Sequence, residues 1–444
     1  ALANRKIFAL ANYDPAAPAS ATRLAMTSTT TLSGLPSDLQ ALLQTNSLQK
    51  TDASFIRYLL GEDPQQDTIG TVYRSRIAPI GASVNSPPVF VGGRINMGYD
   101  TYGSVDGKSG YAAYRTNKQA LPPTIFAATN NGKVHVLNAA KSDTTVAGVK
   151  AGEELAEFMP KGSMAAQIDL ANEAFRFRYT LDGPLAEQDV YDKSATSPKW
   201  RQLVLGTGGR AGSFMYGLES PMNTGNRTPT KENFLWEVNA QTEGYGDMAN
   251  MTNQSTAGQL DDGTWVMLTG SGQYPASGKK VGLYVVNALT GKLVKFIPLP
   301  TGWGNDIAGG NRGLGGVVAV RDTNRKVVAA FAGDANGNLW RFDLRTASFA
   351  VSYGKQLFTT PGGKAQPIYA TPTFQTHPGD GSACTSSTTT QCGAIVVVGT
   401  GILLDENDLD QPATRQAIYG IWDKTPIGDN DATGTGNVTA ADLV

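Results

Sequence analysis

Histidine is almost absent from this chain: its 444 residues include two, His135 and His377. Ser-His-Asp hydrolases therefore have little to work with, the more so because no Gly-x-Ser-x-Gly elbow is present, and both histidines read as structural. A surplus of either charge is lacking too. Lysine and arginine total 37 against 38 acids, a net charge of -1, so no basic face is offered to a phosphate backbone and nucleic acid is not an expected partner. No run of eighteen apolar residues occurs, so no segment reads as membrane-spanning. The opening Ala-Leu-Ala-Asn-Arg-Lys-Ile-Phe-Ala-Leu lacks the basic-then-apolar order of a signal peptide and reads as a strand, so we expect a mature or trimmed segment. No Arg-Gly-Asp tripeptide is present, which excludes integrin-type recognition through it. Cysteine is limited to Cys384 and Cys392, on either side of a Thr/Ser-rich stretch. A disulfide closing that loop is expected, and it points to an exported protein.

Glycine is plentiful, 51 residues, about 11 percent against a usual 7 or so. It sits mostly at turns, which suits many short strands. The most informative stretch runs from Gly333 to Leu344, Gly-Asp-Ala-Asn-Gly-Asn-Leu-Trp-Arg-Phe-Asp-Leu. An apolar run precedes it over 326–332; after the Asn-Gly turn, Trp340, Phe342 and Leu344 alternate with Arg341 and Asp343, the period of a half-buried strand in a hairpin. The unit recurs at Ile125–Asn138, at Leu203–Gly206 with Phe214–Glu219, at Trp265–Gly270 with Leu283–Asn287, and at Ile395–Gly399 with Tyr419–Asp423. Glycines 206, 270, 333 and 399 follow one another by 64, 63 and 66 residues. That pitch fits four-stranded blades carrying loop insertions, so the fold class is all-β, a β-propeller with helical and loop insertions. We read one propeller domain over 1–444, with a lone strand at 4–12 that pairs into the last blade to close the ring. A loop and small helical insertion follow at 15–70, with helical spacing at 39–43 and 53–60, and the main blades occupy 71–444. A polar Gly/Tyr loop is expected over 94–121. A second insertion is expected over 139–174, with short helices at 152–158 and 165–174.

Several motifs invite chemistry and are better read as structure. Gly206-Thr-Gly208-Gly-Arg-Ala211 meets the loose dinucleotide pattern, but a strand follows it, so no helix N-terminus would receive a pyrophosphate. Gly107-Lys108-Ser109 resembles the end of a phosphate loop, yet Tyr102 stands where the opening glycine belongs. Asp405 to Asp410 reads as a solvated acidic loop. Tyr99, Tyr102, Tyr111 and Tyr114 are interaction candidates, since exposed loop aromatics can grip a partner; the alternative is that they cover the propeller rim.

Read in order, Phe55-Ile-Arg-Tyr-Leu-Leu-Gly-Glu62, Tyr73-Arg-Ser-Arg76 with Gly81, Asn85-Ser-Pro87, Trp265–Gly272 with Leu283-Tyr-Val-Val, the block Ala332–Leu344, Gly399-Thr-Gly401 and Tyr419–Asp423 together resemble the C-terminal propeller of the PilC/PilY family of type IV pilus tip-associated proteins. The resemblance covers nearly the whole chain. It implies seven blades and an exported, extracellular protein at the pilus tip or cell surface of a Gram-negative bacterium. It also implies a non-enzymatic role in pilus biogenesis, twitching motility and adhesion, through minor pilins and host or abiotic surfaces. Many members have an oxygen-rich calcium loop shortly before the Gly-Asp turn. Here the matching stretch starts Asp322-Thr-Asn324 but puts Lys326 at its fifth position and Ala330 at its ninth, so no cofactor is expected and calcium there is disfavoured. The stretch Asp431–Asp442 can be laid on a calcium loop, but only its two end residues bring charge and a polar turn is the better reading.

The alternatives are a quinone-cofactor dehydrogenase of propeller type, carrying pyrroloquinoline quinone, and a carbohydrate-binding propeller. Asn287-Ala-Leu-Thr-Gly291 resembles the docking repeat of the quinoproteins, but asparagine and lysine replace its key acid and tryptophan.

Overall fold

The computed structural model describes residues 5–43, 52–62, 73–141, 146, 148–222, 225–304, 310–345, 355–377, 392–409 and 415–424. The chain divides into two compact units: Ala1–Asp100, Ser109–Glu243 and Ala288–Lys292 form one, and Thr101–Lys108, Gly244–Asn287 and Leu293–Val444 form the other.

In the first unit β1 (Ile7–Ala11) and β2 (Thr22–Met26) precede two short helices, α1 (Ser37–Leu43) and α2 (Ser54–Leu59). Then come β3 (Val89–Val91), α3 (Lys108–Ala120), β4 (Thr124–Thr129), β5 (Lys133–Asn138) and β6 (Glu154–Phe158), followed by α4 (Lys161–Met164) and α5 (Ala166–Ala171). A second set of strands follows: β7 (Ala186–Asp192), β8 (Lys199–Thr207), β9 (Phe214–Ser220) and β10 (Phe234–Asn239). They make a six-stranded sheet in the order β2-β1-β6-β5-β4-β3 and a four-stranded meander β10-β9-β8-β7.

The expected N-terminal strand exists but does not join the last sheet. β1 pairs antiparallel with β2 and parallel with β6, setting Ile7 beside both Met26 and Glu157. Its composition explains the position. Ile7, Ala9 and Ala11 face a cluster with Leu39, Leu43, Phe55 and Tyr58 of the two helices, while Phe8 and Leu10 face Phe126, Phe158 and Tyr216. A strand buried on both faces reads as a continuous apolar run, and IFALA is one. Two other expectations change. Residues 152–158, read as helical, hold β6, because backbone pairing to β5 and β1 outweighs a helix-compatible spacing. The 94–121 loop contains the thirteen-residue helix α3.

The second unit contains β11 (Thr256–Gln259), β12 (Trp265–Gly270), β13 (Gly272–Gln273), β14 (Gly282–Asn287), β15 (Leu293–Pro298), β16 (Gly313–Arg321), β17 (Val327–Asp334), β18 (Asn338–Asp343), β19 (Lys355–Thr359), β20 (Thr373–Thr376), β21 (Ala394–Gly399) and β22 (Ile418–Asp423). Its sheets run β11-β12-β14-β15, β13-β16-β17-β18-β19 and β20-β21-β22. β17 shows how neighbouring sheets share a core. Ala330 and Ala332 enter a cluster with Val266, Leu283 and Val285 of the preceding sheet, whereas Ala329 and Phe331 enter one with Val396, Val398 and Ile421 of the following sheet.

The five sequence repeats appear as β4/β5, β8/β9, β12/β14, β17/β18 and β21/β22, one in each sheet. The described residues thus hold five sheets. Segments 70–120 and 150–200, where a seven-bladed fold would need its two further blades, supply strands to the first two sheets through β3, β6 and β7.

The Asn-Gly turns are the fixed points of the hairpins. Gly132 and Gly337 have φ of 79° and 82°, a backbone that side chains disfavour. In the second turn the Asp334 carboxylate is fully buried and accepts hydrogen bonds from the backbone N–H of Asn336 and Asn338 (2.9 Å each), from Asn338 Nδ2 (2.9 Å), from Trp340 Nε1 (2.8 Å) and from Asn311 Nδ2 (3.0 Å). Burial raises its pKa against the lowering effect of these donors. Replacing Asp334 with alanine strands several buried donors at once, so Asp334→Ala is expected to cost at least about 3 kcal/mol in urea denaturation. A loss below about 1 kcal/mol would show that the donors find other partners.

A second buried acid caps a helix. Glu237 on β10 accepts from Lys161 N–H and Gly162 N–H at the start of α4, both at 2.7 Å. Burial pushes its pKa from 4.5 up to about 7. For an acid raised in the folded state, the stabilisation is complete below the unfolded pKa and is lost as pH rises through the folded one, here at most about 3 kcal/mol. The stability of the wild type relative to Glu237→Gln should therefore decline between pH 5 and pH 8; a difference independent of pH over that range, read from melting temperatures, contradicts this.

Candidate functional site

Of the four candidate tyrosines the structure keeps one exposed. On α3, Tyr111, Tyr114 and Lys118 share a face and converge on Asp189 of β7. The two hydroxyls donate to it at 2.7 and 2.8 Å, and the Lys118 ammonium reaches both its oxygens at 2.9 and 2.8 Å. Burial first, then the Asp189 charge, raises both phenols, so they remain protonated donors. Tyr99 is stacked on Trp200 with ring centroids 5.4 Å apart and accepts from Gln188 Nε2. Tyr99, Tyr111 and Tyr114 are thus core residues, and the reading of them as exposed loop aromatics is corrected: helical spacing over 111–118 was the signal that could have placed Tyr111 and Tyr114. Tyr102 is 59% exposed, with the Arg325 guanidinium 5.1 Å above its ring.

The residues matching the family's calcium loop form a hairpin turn between β16 and β17. Asp322 Oδ1 accepts from the N–H groups of Asn324 and Lys326 at 2.9 Å, and the Lys326 ammonium donates to Gln259 at 2.6 Å. With the acid occupied by its own turn and a cation at the fifth position, these residues do not fit calcium. Asp431–Asp442 lies outside the described residues, as does Cys384. Cys392 is buried, and its carbonyl accepts the Trp422 indole N–H at 2.8 Å. In the acidic loop, Asp408 accepts from the N–H groups of Leu404 and Asp405 and pairs with Arg312 at 3.2 Å.

His135, Glu154 and Glu157 stand close enough to suggest a metal site. Their charges are already matched: Arg5 bonds both glutamates at 2.5 Å and Lys133 bonds Glu157 at 2.7 Å. Burial holds the imidazole down to about 3, so the ring is neutral. The arrangement is an internal ion-pair network beneath the first sheet. His377 stacks on Trp422, ring centroids 5.0 Å apart.

A concavity in the first unit was not singled out from the sequence, although Tyr73-Arg-Ser-Arg76 leads into it. It has a volume of about 400 Å³. One wall is the irregular segment 74–82, the other is α5 with residues 175–178, and the Asn130-Asn131 turn between β4 and β5 closes the floor. Backbone bonds pin the first wall at both ends: Arg74 N–H donates to Ala171 O and Asn130 N–H to Ala82 O, each at 2.8 Å, and Asn131 Nδ2 donates to Pro79 O at 2.7 Å. The Arg76 guanidinium lies 3.9 Å from the Tyr58 ring centroid and donates to the Tyr58 carbonyl. The Arg74 guanidinium lies 4.6 Å from the Phe175 ring and Nε donates to Leu170 O at 3.0 Å. Arg178 is paired with Asp169. Ile77, Ile80 and Phe177 leave large apolar surface open at the rim. Such a cleft can bind; among the described residues that line it there is no nucleophile beside a base and no pair of acids suited to proton transfer.

Comparison with known proteins follows the same lines. Residues 80–444 match the family described as the PilY1 beta-propeller domain. A type IV pilus biogenesis factor PilY1 homolog of Xylella fastidiosa is 29% identical over 85% of this chain and 27% of its own length. The type IV pilus biogenesis factor PilY1 of Pseudomonas aeruginosa strain UCBPP-PA14 is 25% identical over 81% of this chain and 30% of its own. The chain thus spans less than a third of the curated relatives it matches. Among solved structures, the C-terminal domain of Pseudomonas aeruginosa PilY1 aligns with a TM-score of 0.53 at 22% identity, covering 72% of this chain and 61% of that one. That likeness establishes a β-propeller fold. The family match takes in well over half of the sequence, and together with the five sheets of the described residues it makes this chain a member of the PilY1 β-propeller family.

Proposed function

We propose that this chain is a binding domain of a type IV pilus biogenesis factor, exported and held at the pilus or cell surface, where it contacts minor pilins and supports attachment and twitching motility. The observation that carries the reading is the family match over residues 80–444. The interior supports it. The buried acids Asp189, Glu157 and Asp334 are each engaged by neighbouring side chains or turn amides, so their polarity maintains the scaffold. A scaffold that presents loops and an open cleft is suited to contact. Tyr102, exposed and backed by Arg325, is a candidate contact residue.

Co-purification with the minor pilins of the source organism tests this. A stable association with at least one of them is expected, and failure with every pilin and combination overturns the reading. We also propose the Cys384–Cys392 bond, since two cysteines eight positions apart in an exported loop pair readily. Maleimide labelling of the denatured but unreduced chain should modify neither cysteine; modification of both shows that the bond is not formed.

A further inference from the structure

The open cleft of the first unit has a chemistry that indicates what it takes. Two of its polar groups, the Arg74 and Arg76 guanidinium groups, are donors only. Neither Arg74 nor Arg76 has a carboxylate within ion-pair distance among the described residues. The acid that acts on Arg76 from below, Glu157, is already bonded by Arg5 and Lys133. Among the described residues Glu154 and Glu157 are ion-paired with Arg5 and Lys133, and Arg74 and Arg76 have no ion pair of their own. On the floor, Asn130 is 7% exposed; its carbonyl accepts from Thr180 N–H, and its buried Nδ2 has no acceptor. An unpaired buried donor costs free energy that an incoming acceptor would recover. Stacking on Phe175 and Tyr58 uses the faces of the two guanidinium groups and holds them in place, and a guanidinium so held can still offer N–H groups at its edge to a planar carboxylate.

The rim is the second half of the pattern. Ile77 is fully exposed, Phe177 60% and Ile80 44% exposed, so three of the large exposed hydrophobics of the described residues border one cleft. Scattered exposed apolar residues need no explanation, but a group beside unmatched cations forms a mixed surface. A free phosphate would leave the apolar rim unused, and a plain hydrocarbon would leave the arginines unmatched. The wall itself is preformed by its hydrogen bonds to α5 and to the β4–β5 turn, which lowers the ordering cost of binding.

We infer that this cleft is a docking groove for an extended segment of a partner protein in which a carboxylate stands next to large apolar side chains. The acid meets Arg74 and Arg76, and the neighbouring side chains lie on Ile77, Ile80 and Phe177. This deepens the binding function proposed above and rests on it.

The test uses the whole chain and two fluorescent peptides, one of alternating leucine and glutamate and one with every glutamate replaced by glutamine, followed by anisotropy. Saturable binding of the glutamate peptide is expected, weakened by salt, with the glutamine peptide about tenfold weaker or worse. Arg74→Gln and Arg76→Gln should each lose about tenfold. Because Arg76 packs on Tyr58, Ile77→Glu provides a variant that leaves the interior untouched; it places a like charge at the rim and should lose a comparable factor. Absence of binding, equal binding of the two peptides, indifference to Ile77→Glu, or full displacement by millimolar inorganic phosphate each overturns the inference. The two readings separate cleanly. Peptide binding that responds to these variants, without any pilin association, leaves the groove and removes its pilus partner. Pilin association unaffected by Ile77→Glu, with no peptide binding, removes the groove alone.

Discussion

Burial of a strand on both faces is the constraint from which the rest of this structure follows. β1 and β17 each send alternate side chains into two different clusters, so neither sheet can be completed without its neighbour. A central strand in that position has no wet face, and its backbone must be satisfied wholly by the strands beside it. The buried acids Asp189, Glu157 and Asp334 are each surrounded by fixed partners. Asp334 is the clearest case: among the described residues no cation bonds this buried carboxylate, which is held by amides and an indole from its own hairpin and from Asn311. The arrangement fixes the turn and the position of Trp340, and through Trp340 the seam with the preceding sheet.

Much of this was legible in the sequence, for physical reasons that can be named. The five hairpins announced themselves because Asn-Gly turns and two-residue alternation are local signals, readable from Ile125–Asn138 or Gly333–Leu344 without knowledge of anything distant. What failed was set by distant partners. Residues 152–158 look helical in isolation, and pairing of Glu154–Phe158 with β5 and with β1, which is far away in the sequence, makes them a strand. The same is true of residues 108–120, where Gly and Tyr suggested a loop. There Asp189, on β7, stabilises a helix by drawing together the Tyr111, Tyr114 and Lys118 that line one of its faces.

The cleft was less legible still. Tyr73-Arg-Ser-Arg76 attracted notice as part of a family resemblance, but nothing local says that its arginines stack on Tyr58 and Phe175, since those rings arrive from two other segments. The tyrosine candidates show the converse error. Residue type suggested contact with a partner, whereas three of the four hydroxyl-bearing rings serve the interior and the exposed Tyr102 is the exception. Aromatic content alone does not distinguish a gripping surface from a packed one; the periodicity of the element that carries the rings does.

The parallel pairing of β1 with β6 also has a kinetic side. Arg5 and Glu154, bonded across that seam, are separated by 149 residues of chain. During synthesis the N-terminal strand must therefore wait, with its apolar residues unprotected on both faces, until most of the first unit has left the ribosome. The hairpin with β2 can shield one edge early, but the inner edge closes late, and contacts of such span slow the search for the native state. A domain built this way gains from anything that keeps β1 solvated until β6 has emerged.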